Sequence, residues 1–495
     1  MGRHPDPRRA AESVGSAAVA FDAVADADPP PRRGRRARAI ASRVLAVALI
    51  ALLGGWAALA VAGALTAGGP GPFAFVFGPT PGAALAVASP PTSETPDATR
   101  SPVAGSSTSP APTTSAQPSA PPPLTGVAVR PRVSGTPLEE RLQAELDRIR
   151  RRLAIPGVSA TIILRDGMTW TGTSGLADVK RKVPVEPDTA FALGSVSKTY
   201  TAALVAALAG DGSIDLDAPA VTYLTGRPLD RRITVRMLLD HTSGLDDFFL
   251  HGSIDVALQK DPKAAWSAKR TLRYVAKPYF PPGTGWHYSN TNYLYLGLIA
   301  EAVTGKPLGQ ALRDRFFGPL RLDATWYQTS EKARTGTAHG YRFVGTSRSA
   351  RPIDLADGTG VMPFTSVVTA AGGAGSIAAT SPDAARWARQ LYTGKVLDPD
   401  MTAQMLSGVA LTAAYSPRVP YGLGVQAISI DGRQTLGHSG RLLGFRAAVR
   451  HIPGESTTIA VLTNQSRADP GVIVEGLLRV VFAPDPPCFR CQGPS

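Results

Sequence analysis

The 495-residue sequence predicts an α/β (α+β) protein in which a mainly antiparallel sheet is flanked by helices and carries a helical subdomain. Strand-like runs occur near both ends of the folded region, and two pairs of them are joined by Asp-Gly, a dipeptide that favours tight β-hairpins. The long stretch between them is rich in helical and loop patterns. If the strands at both ends form one sheet, the chain must close on itself, with the beginning of the folded region beside its end.

The segment before residue 136 is expected to lie outside this domain. Residues 44–66 contain no charged side chain, and a helix of this length spans about 35 Å, enough for a hydrocarbon core of about 30 Å. Residues 1–43 form a basic tail whose arginines cluster directly before that segment: Arg32, Arg33, Arg35, Arg36, Arg38 and Arg43. This order predicts a single-pass membrane helix with a cytoplasmic N-terminus and an extracytoplasmic catalytic domain. A cleaved signal peptide is the alternative.

Amino-acid composition distinguishes a linker, a folded domain and a C-terminal tail in the rest of the chain. Residues 67–135 are rich in Pro, Ser, Thr, Ala and Gly, which predicts a disordered linker. The folded domain is expected over residues 136–483, followed by a tail over 484–495 that holds the only two cysteines, Cys488 and Cys491. One C-x-x-C cannot complete a four-ligand zinc site, so a small disulfide loop or two free thiols are expected there.

The net charge of +14 comes mainly from arginines spread over the chain. Nucleic-acid binding needs a basic patch on one face, and no basic stripe interleaved with aromatic residues is found in the sequence. The charge therefore does not predict a nucleic-acid partner.

The elements of the folded domain are predicted in order. Thr136, Pro137 and Glu139 are typical of a helix start, and apolar residues then recur at helical spacing: Leu138, Leu142, Leu146, Ile149 and Leu153. Strands are predicted over 159–165 and 168–173 around Asp166-Gly167, and over 426–430 and 434–437 around Asp431-Gly432. Two more strands are expected at 445–451 and 457–463, with a final helix over 470–481.

The chemistry begins with Ser195 and Lys198, the only S-x-x-K in the chain, at the start of a helical stretch. Three residues of helical spacing place the amine within reach of the hydroxyl, and a hydroxyl needs a base to become a nucleophile. A buried lysine loses its proton more readily than an exposed one. The backbone N–H of Ser195 is also a candidate donor for a developing oxyanion.

Two further groups follow in the sequence. Tyr288 and Asn290 lie two residues apart in a turn-rich stretch, where they offer a phenol and an amide to one cleft. His438, Ser439 and Gly440 follow at the end of the late hairpin, where glycine lets a substrate backbone approach a strand.

This ordered set resembles the serine β-lactamase and penicillin-binding protein superfamily, in the branch of class C β-lactamases, Streptomyces-type DD-carboxypeptidases and related carboxylesterases. The resemblance covers about residues 137–482. It rests on Ser195-Val196-Ser197-Lys198, Tyr288-Ser289-Asn290 and His438-Ser439-Gly440, and the stretches at 239–245 and 371–376 also look like the family. It implies a β-lactamase/transpeptidase-like fold.

The resemblance also implies roles for individual residues. Ser195 would be the acylated nucleophile, Lys198 its activating partner and Tyr288 a proton shuttle. The substrate would be held by Asn290, His438, Ser439 and Gly440, and the N–H groups of Ser195 and Arg441 would form the oxyanion hole. No metal or cofactor is implied.

The expected function is that of a membrane-anchored extracytoplasmic serine hydrolase, most similar to a D-alanyl-D-alanine carboxypeptidase of peptidoglycan peptides. A carboxylesterase, a β-lactamase and a D-aminopeptidase would share the machinery, and a non-hydrolysing penicillin-binding sensor is the other class. The expected partner is a D-alanyl peptide, an ester or a β-lactam. His438 stands where β-lactamases have the lysine of Lys-Thr-Gly, which resembles the DD-carboxypeptidases more. Arg441 or Arg446 would replace the missing cation if its side chain turned inward. His241 and Ser243 lack the G-x-S-x-G context of a nucleophile elbow, which favours a structural role.

Overall fold

The computed structural model describes residues 137–224, 226, 229–343, 351–412 and 420–483. The basic tail, the membrane segment, the linker and the C-terminal tail of the sequence prediction lie outside the described residues, as do Thr136, Cys488 and Cys491. Among the described helices, none combines the length and the apolar character needed to cross a membrane.

Twelve strands occur in the described residues. They are β1 Gly157–Ile163, β2 Thr169–Asp178, β3 Val183–Pro184, β4 Phe191–Ala192, β5 Thr325–Tyr327, β6 Tyr341–Phe343, β7 Pro352–Asp354, β8 Ile377–Ala379, β9 Gln426–Ile430, β10 Arg433–Leu442, β11 Phe445–Ile452 and β12 Thr457–Thr463. The main sheet has seven strands in the order β3-β2-β1-β12-β11-β10-β9, and every neighbouring pair is antiparallel. Pairing of β1 with β12 closes the chain on itself, as predicted.

Eleven α-helices accompany these strands within the described ranges. They are α1 Pro137–Arg152, α2 Ser197–Gly210, α3 Val235–Leu239, α4 Gly252–Lys260, α5 Ala268–Thr271, α6 Asn290–Thr304, α7 Leu308–Leu312, α8 Thr365–Ala371, α9 Ser381–Tyr392, α10 Pro399–Thr412 and α11 Gly471–Phe482. Short 3-10 turns lie at Gly194–Val196, Ala220–Tyr223, Phe248–Leu250, Leu272–Tyr274 and Gly372–Ala374, and a π-helical turn at Arg313–Phe317.

Helices cover both faces of the sheet. On one face the predicted apolar side of α1 packs against α11 in a separate core cluster that includes Leu142, Leu146, Ile149, Ile473, Val474 and Leu477. On the other face α9 begins beneath β1, where the Ser381 hydroxyl lies 2.7 Å from that of Ser159 and 2.8 Å from that of Thr161. The remaining helices fill the predicted helical region between β3 and β9.

Both predicted hairpins are present, with shifted boundaries. The first strand spans Gly157–Ile163 instead of 159–165, because Leu164 and Met168 already close the turn through a 2.9 Å backbone hydrogen bond. The strand β10 is longer than the predicted 434–437, since it pairs with β11 as far as Leu442. Pairing of β10 with β9 ends at Gly437, so His438 lies directly after the end of the hairpin, on a part of β10 that pairs with β11 alone.

Candidate active site

Ser195 lies on a tight turn that is pressed against the sheet. The 3-10 turn Gly194–Val196 precedes α2, so Ser195 stands just before the α-helix. Gly194 has a φ of +52°, and a Cβ at this residue would lie 2.8 Å from the Arg441 carbonyl. A Cβ at Gly440 would lie 2.0 Å from the Leu193 oxygen. The two glycines thus allow the backbone of Ser195 to approach that of Arg441, the pair that the resemblance implies as the oxyanion hole.

Replacement of Gly440 by alanine is expected to lower kcat/KM by about 10²–10³, the usual effect of losing one oxyanion-hole donor. The added Cβ cannot be accommodated at 2.0 Å from the Leu193 oxygen, so the turn and the strand must separate. The measurement is kcat/KM on a chromogenic ester together with a thermal melt. Gly454→Ala is the matched control, because its Cβ would meet no atom within 4 Å. Equal activity of both variants would contradict the assignment.

Lys198 lies beside the nucleophile. Its Nζ is 3.1 Å from the Ser195 Oγ, 2.7 Å from the Asn290 Oδ1 and 3.0 Å from the Ala374 carbonyl. The side chain is fully buried. Burial lowers the pKa of the Lys198 ammonium to about 7, and Asp247 opposes this shift. A neutral amine is therefore accessible near neutral pH, as a general base requires.

Asp247 is joined to Lys198 through Asn290. The Asn290 Nδ2 donates to the Asp247 Oδ2 at 2.9 Å, while its Oδ1 accepts from Lys198. Burial raises the pKa of the Asp247 carboxyl, whereas Lys198 lowers it. Both ends of the Asn290 amide are thus engaged by charged groups. The predicted role of Asn290 in holding the substrate amide stays a prediction.

Replacement of Asp247 by asparagine is expected to move the acid limb of the kcat/KM profile to lower pH. The Asp247 charge raises the pKa of Lys198, so its removal lets the ammonium lose its proton at a lower pH. The measurement is kcat/KM between pH 5 and pH 9. The control is Asp383→Asn, which alters another buried carboxylate that accepts from the Ala324 N–H and the Thr325 hydroxyl. If the acid limb stays at the same pH or moves to higher pH, Asp247 does not raise the pKa of Lys198.

Tyr288 completes the group around the nucleophile. Its Oη is buried and has no hydrogen bond of standard geometry among the described residues, and the Lys198 Nζ lies 4.9 Å from its ring centroid. Burial raises the pKa of Tyr288 strongly, while the neighbouring Ser195 hydroxyl lowers it to a smaller extent. A stable phenolate is disfavoured, so the hydroxyl suits a proton shuttle better than a free base.

The sheet edge forms the opposite side of the site. His438 is buried, whereas Ser439 is exposed on β10. The Arg450 Nη2 donates to the Ser439 Oγ at 2.6 Å and to the Gln426 Oε1 at 2.9 Å. Arg450 is only 1% exposed, and its Nη1 has no hydrogen-bond partner in the described part of the chain.

A buried cation, Arg450, thus lies beside Ser439, whereas a cation from Arg441 or Arg446 stays a prediction. Arg446 instead donates to the Ser466 carbonyl, and the Arg441 side chain is exposed. His241 and Ser243 are buried and hydrogen-bonded to residues of the Tyr288 loop and α6, as a structural role predicts.

Three residues of the site escaped the sequence prediction: Asp247, Tyr421 and Arg450. The sequence offers one weak signal, since Asp247 closely follows the family-like stretch at 239–245. Arg450 lies in the predicted strand 445–451 beside Arg446 and His451, and the sequence does not show which of these charges is buried. Tyr421 carries no local motif, and only the fold places its hydroxyl 2.9 Å from the His438 Nε2.

This fold and the Ser195–Lys198 pair beside Tyr288 define the class of the protein as a serine hydrolase. The chain belongs to the β-lactamase family: the family model described as Beta-lactamase matches residues 143–480. The predicted superfamily is confirmed. The individual roles of the site residues stay predictions.

Several individual proteins are similar to this chain. The chain is 29% identical to penicillin-binding protein 4 of Amycolatopsis lactamdurans over 65% of this chain and 84% of that protein. It is 27% identical to a D-aminopeptidase of Gluconobacter oxydans over 72% of this chain and 64% of that protein. A solved D-stereospecific amidohydrolase from Streptomyces sp. aligns with a TM-score of 0.58 at 27% identity, covering 70% of this chain and 98% of its own. Matches to several curated relatives span less than two thirds of their lengths.

Proposed function

We propose that the protein hydrolyses amide bonds next to D-amino acid residues in small peptides or amides, through an acyl-enzyme on Ser195. The observation that carries the proposal is the 3.1 Å contact between the Ser195 hydroxyl and the Lys198 amine. The pKa of that amine is lowered to about 7 by burial. A nucleophile and its base are therefore in place together.

In the first half-reaction, neutral Lys198 accepts the Ser195 proton while the Oγ forms a bond to the substrate carbonyl carbon. The N–H groups of Ser195 and Arg441 would stabilise the negative oxygen. The C–N bond then breaks. Tyr288 gives its hydroxyl proton to the leaving amine and recovers one from the Lys198 ammonium. In the second half-reaction, water forms a bond to the ester carbon and gives a proton to Lys198, the bond between that carbon and the Ser195 Oγ breaks, Lys198 returns the proton to Oγ, and the acid is released.

The relatives support the substrate class. The D-aminopeptidase and the D-stereospecific amidohydrolase are both named for a D-configured substrate. Their similarity covers most of the described domain. A D-configured amino acid residue on the acyl side of the scissile bond is therefore the favoured substrate.

The test is a substrate panel with the full chain and its Ser195→Ala variant. It contains D-alanine p-nitroanilide and its L-isomer, N-acylated D-Ala-D-Ala, a p-nitrophenyl ester, a chromogenic cephalosporin and a fluorescent penicillin. Ser195-dependent cleavage of the D-isomer with little cleavage of the L-isomer supports the proposal. Cleavage of the ester or the cephalosporin alone would move the protein to the esterase or β-lactamase alternative. Labelling by penicillin without turnover would favour the sensor.

Ser197→Ala is the matched control for Ser195→Ala. The Ser197 hydroxyl is buried and accepts from the Ile377 N–H at 3.1 Å, so its loss affects packing near the site without removing the nucleophile. Retained turnover in Ser197→Ala separates loss of chemistry from loss of folding.

A carboxypeptidase acting on D-alanyl-D-alanine termini is the second candidate, and Arg450 favours it. Its guanidinium donates to the Ser439 hydroxyl, so the hydroxyl is free to direct its own hydrogen elsewhere. A hydroxyl polarised by a buried cation suits a carboxylate acceptor. The site therefore offers a place for the free carboxylate of a peptide.

Replacement of Arg450 by methionine is expected to lower the preference for a carboxylate over an amide terminus by about tenfold, the effect of about 1.4 kcal/mol of charge interaction. The measurement is the ratio of kcat/KM for N-acylated D-Ala-D-Ala and for its C-terminal amide. Arg446→Met is the control on the same strand, since its Nε donates to the Ser466 carbonyl. An unchanged ratio in Arg450→Met would argue against the carboxypeptidase and would leave the aminopeptidase or amidase as the candidate function.

We also propose that residues 44–66 anchor the protein in a membrane, with the catalytic domain on the extracytoplasmic side. The uncharged segment and the arginines before it support this topology. Membrane fractionation and protease accessibility of the catalytic domain in intact cells provide the test. Release of a shortened soluble chain would support a cleaved signal instead.

A further inference from the structure

Three buried aromatic side chains form a continuous chain of hydrogen bonds behind Tyr288. The His241 Nε2 lies 3.3 Å from the Tyr421 Oη, and the same oxygen lies 2.9 Å from the His438 Nε2. The His438 Nδ1 lies 2.6 Å from the Ser439 carbonyl oxygen. None of the three rings is more than 1% exposed, so bulk water does not compete for these contacts.

The surroundings of His241 fix which ring nitrogen carries its proton. The Nδ1 accepts from the Ser289 N–H at 3.1 Å and faces the Asn292 Nδ2 at 3.0 Å. The Asn292 amide can present only its Nδ2 there, because its Oδ1 accepts from the Ser243 hydroxyl at 2.6 Å. Since Nδ1 is an acceptor, the proton of neutral His241 is on Nε2 and points to Tyr421.

The surroundings of His438 require the opposite tautomer. Its Nδ1 faces a carbonyl oxygen, which can only accept, so Nδ1 carries the proton. Burial and the nearby Lys198 lower the pKa of His438 well below its ordinary value, which favours the neutral ring. The Nε2 of neutral His438 then accepts the Tyr421 hydroxyl proton. Every donor along the chain consequently points the same way, from His241 towards Ser439.

We propose that His241, Tyr421 and His438 form a directed hydrogen-bond relay that positions the two sides of the active site relative to each other. At one end, His241 holds the backbone N–H between Tyr288 and Asn290. At the other end, the relay holds a carbonyl of β10, the strand that carries Arg441. Tyr421 is the link between them and acts as a positioning residue.

The relay explains why a tyrosine is needed at position 421. Its hydroxyl must accept from one histidine and donate to the other, and a phenylalanine of the same shape does neither. Without that hydroxyl, a buried N–H on His241 and a buried lone pair on His438 both lose their partner. The Tyr288 loop and β10 are then no longer connected through these hydrogen bonds. The expected effect on turnover rests on the proposed function, whereas the hydrogen-bond geometry of the relay does not.

The first experiment records long-range ¹H–¹⁵N spectra of the histidine-labelled full chain without substrate. We expect His241 as the Nε2–H tautomer and His438 as the Nδ1–H tautomer, with both rings neutral at pH 7. Equal tautomers in the two rings, or a protonated His438, would overturn the relay. Because no turnover is measured, this result is independent of the proposed function.

The second experiment compares Tyr421→Phe with Tyr341→Phe. The Tyr341 hydroxyl is buried and accepts from the Val179 N–H at 2.8 Å, so both changes remove one buried hydroxyl and keep the ring. Tyr421→Phe is expected to lower kcat by up to about 10²-fold, as displacement of reacting groups does, and to shift the nitrogen signals of both histidines. Tyr341→Phe is expected to change neither. A folded Tyr421→Phe with normal kcat and unshifted signals overturns the proposal, and if the variant does not fold, the wild-type tautomers decide.

Discussion

Replacement of Lys198 by methionine is expected to lower kcat/KM by about 10²–10⁴, the range that a positioned base contributes. Methionine fills a similar volume but cannot accept the Ser195 proton. The same lysine should set the pH profile of the wild-type enzyme. Because only the neutral amine is a base and its pKa is lowered to about 7, kcat/KM should rise as pH increases through about 7 and level off above it.

The measurements are the pH dependence of kcat/KM and the rate of acylation by a fluorescent penicillin. Lys306→Met is a suitable control, since this exposed lysine pairs with Asp314 at 2.8 Å away from the site. A folded Lys198→Met variant that acylates at the wild-type rate would contradict the assignment. A wild-type profile with no acid limb near pH 7 would show that another group accepts the proton.

Replacement of Tyr288 by phenylalanine is expected to lower kcat by about 10²–10⁴, because proton delivery to the leaving group is lost. The ring stays in place and continues to face Lys198, so substrate binding should change little. The loss is expected to be larger for amides than for p-nitrophenyl esters, since a nitrophenolate leaves without protonation. The measurement compares kcat and KM for a matched amide and ester.

Tyr200→Phe provides the control for this prediction. Tyr200 is buried, and its Oη has no hydrogen-bond partner among the described residues. Its ring instead stacks on Trp387 at a centroid distance of 4.1 Å. We expect unchanged turnover and equal or greater thermal stability, because a buried unpaired polar atom is removed. If Tyr288→Phe behaves in the same way, its hydroxyl has no part in proton transfer.

Local patterns were sufficient for much of the fold and for the nucleophile. The three-residue spacing brings Ser195, on the 3-10 turn, close to Lys198 in the first turn of the following helix, so their contact depends on few other residues. The Asp-Gly turns likewise define hairpins from neighbouring residues alone. Strand β12 has the predicted limits, because both of its sides pair with strands in a regular register.

The buried charged residues near Ser195 could not be predicted from such local patterns. Asp247 reaches Lys198 only because Asn290 bridges them across three separate segments. Arg450 is a buried charge within β11, and its partner Ser439 is supplied only by the neighbouring strand β10. These residues depend on long-range packing, which leaves no periodic signal in the sequence.

The pairing of β1 with β12 makes the site a late product of synthesis. The nucleophile belongs to the early part of the folded domain, whereas Gly440 and the strand edge belong to its last part. Contacts between residues so far apart in sequence form slowly, because the intervening chain must first be ordered. A nascent chain that carries Ser195 but not yet β10 therefore has a hydroxyl and an amine but lacks Arg441, whose N–H is the second donor of the proposed oxyanion hole. Hydrolytic competence should appear abruptly when the final strands join the sheet, instead of growing with chain length.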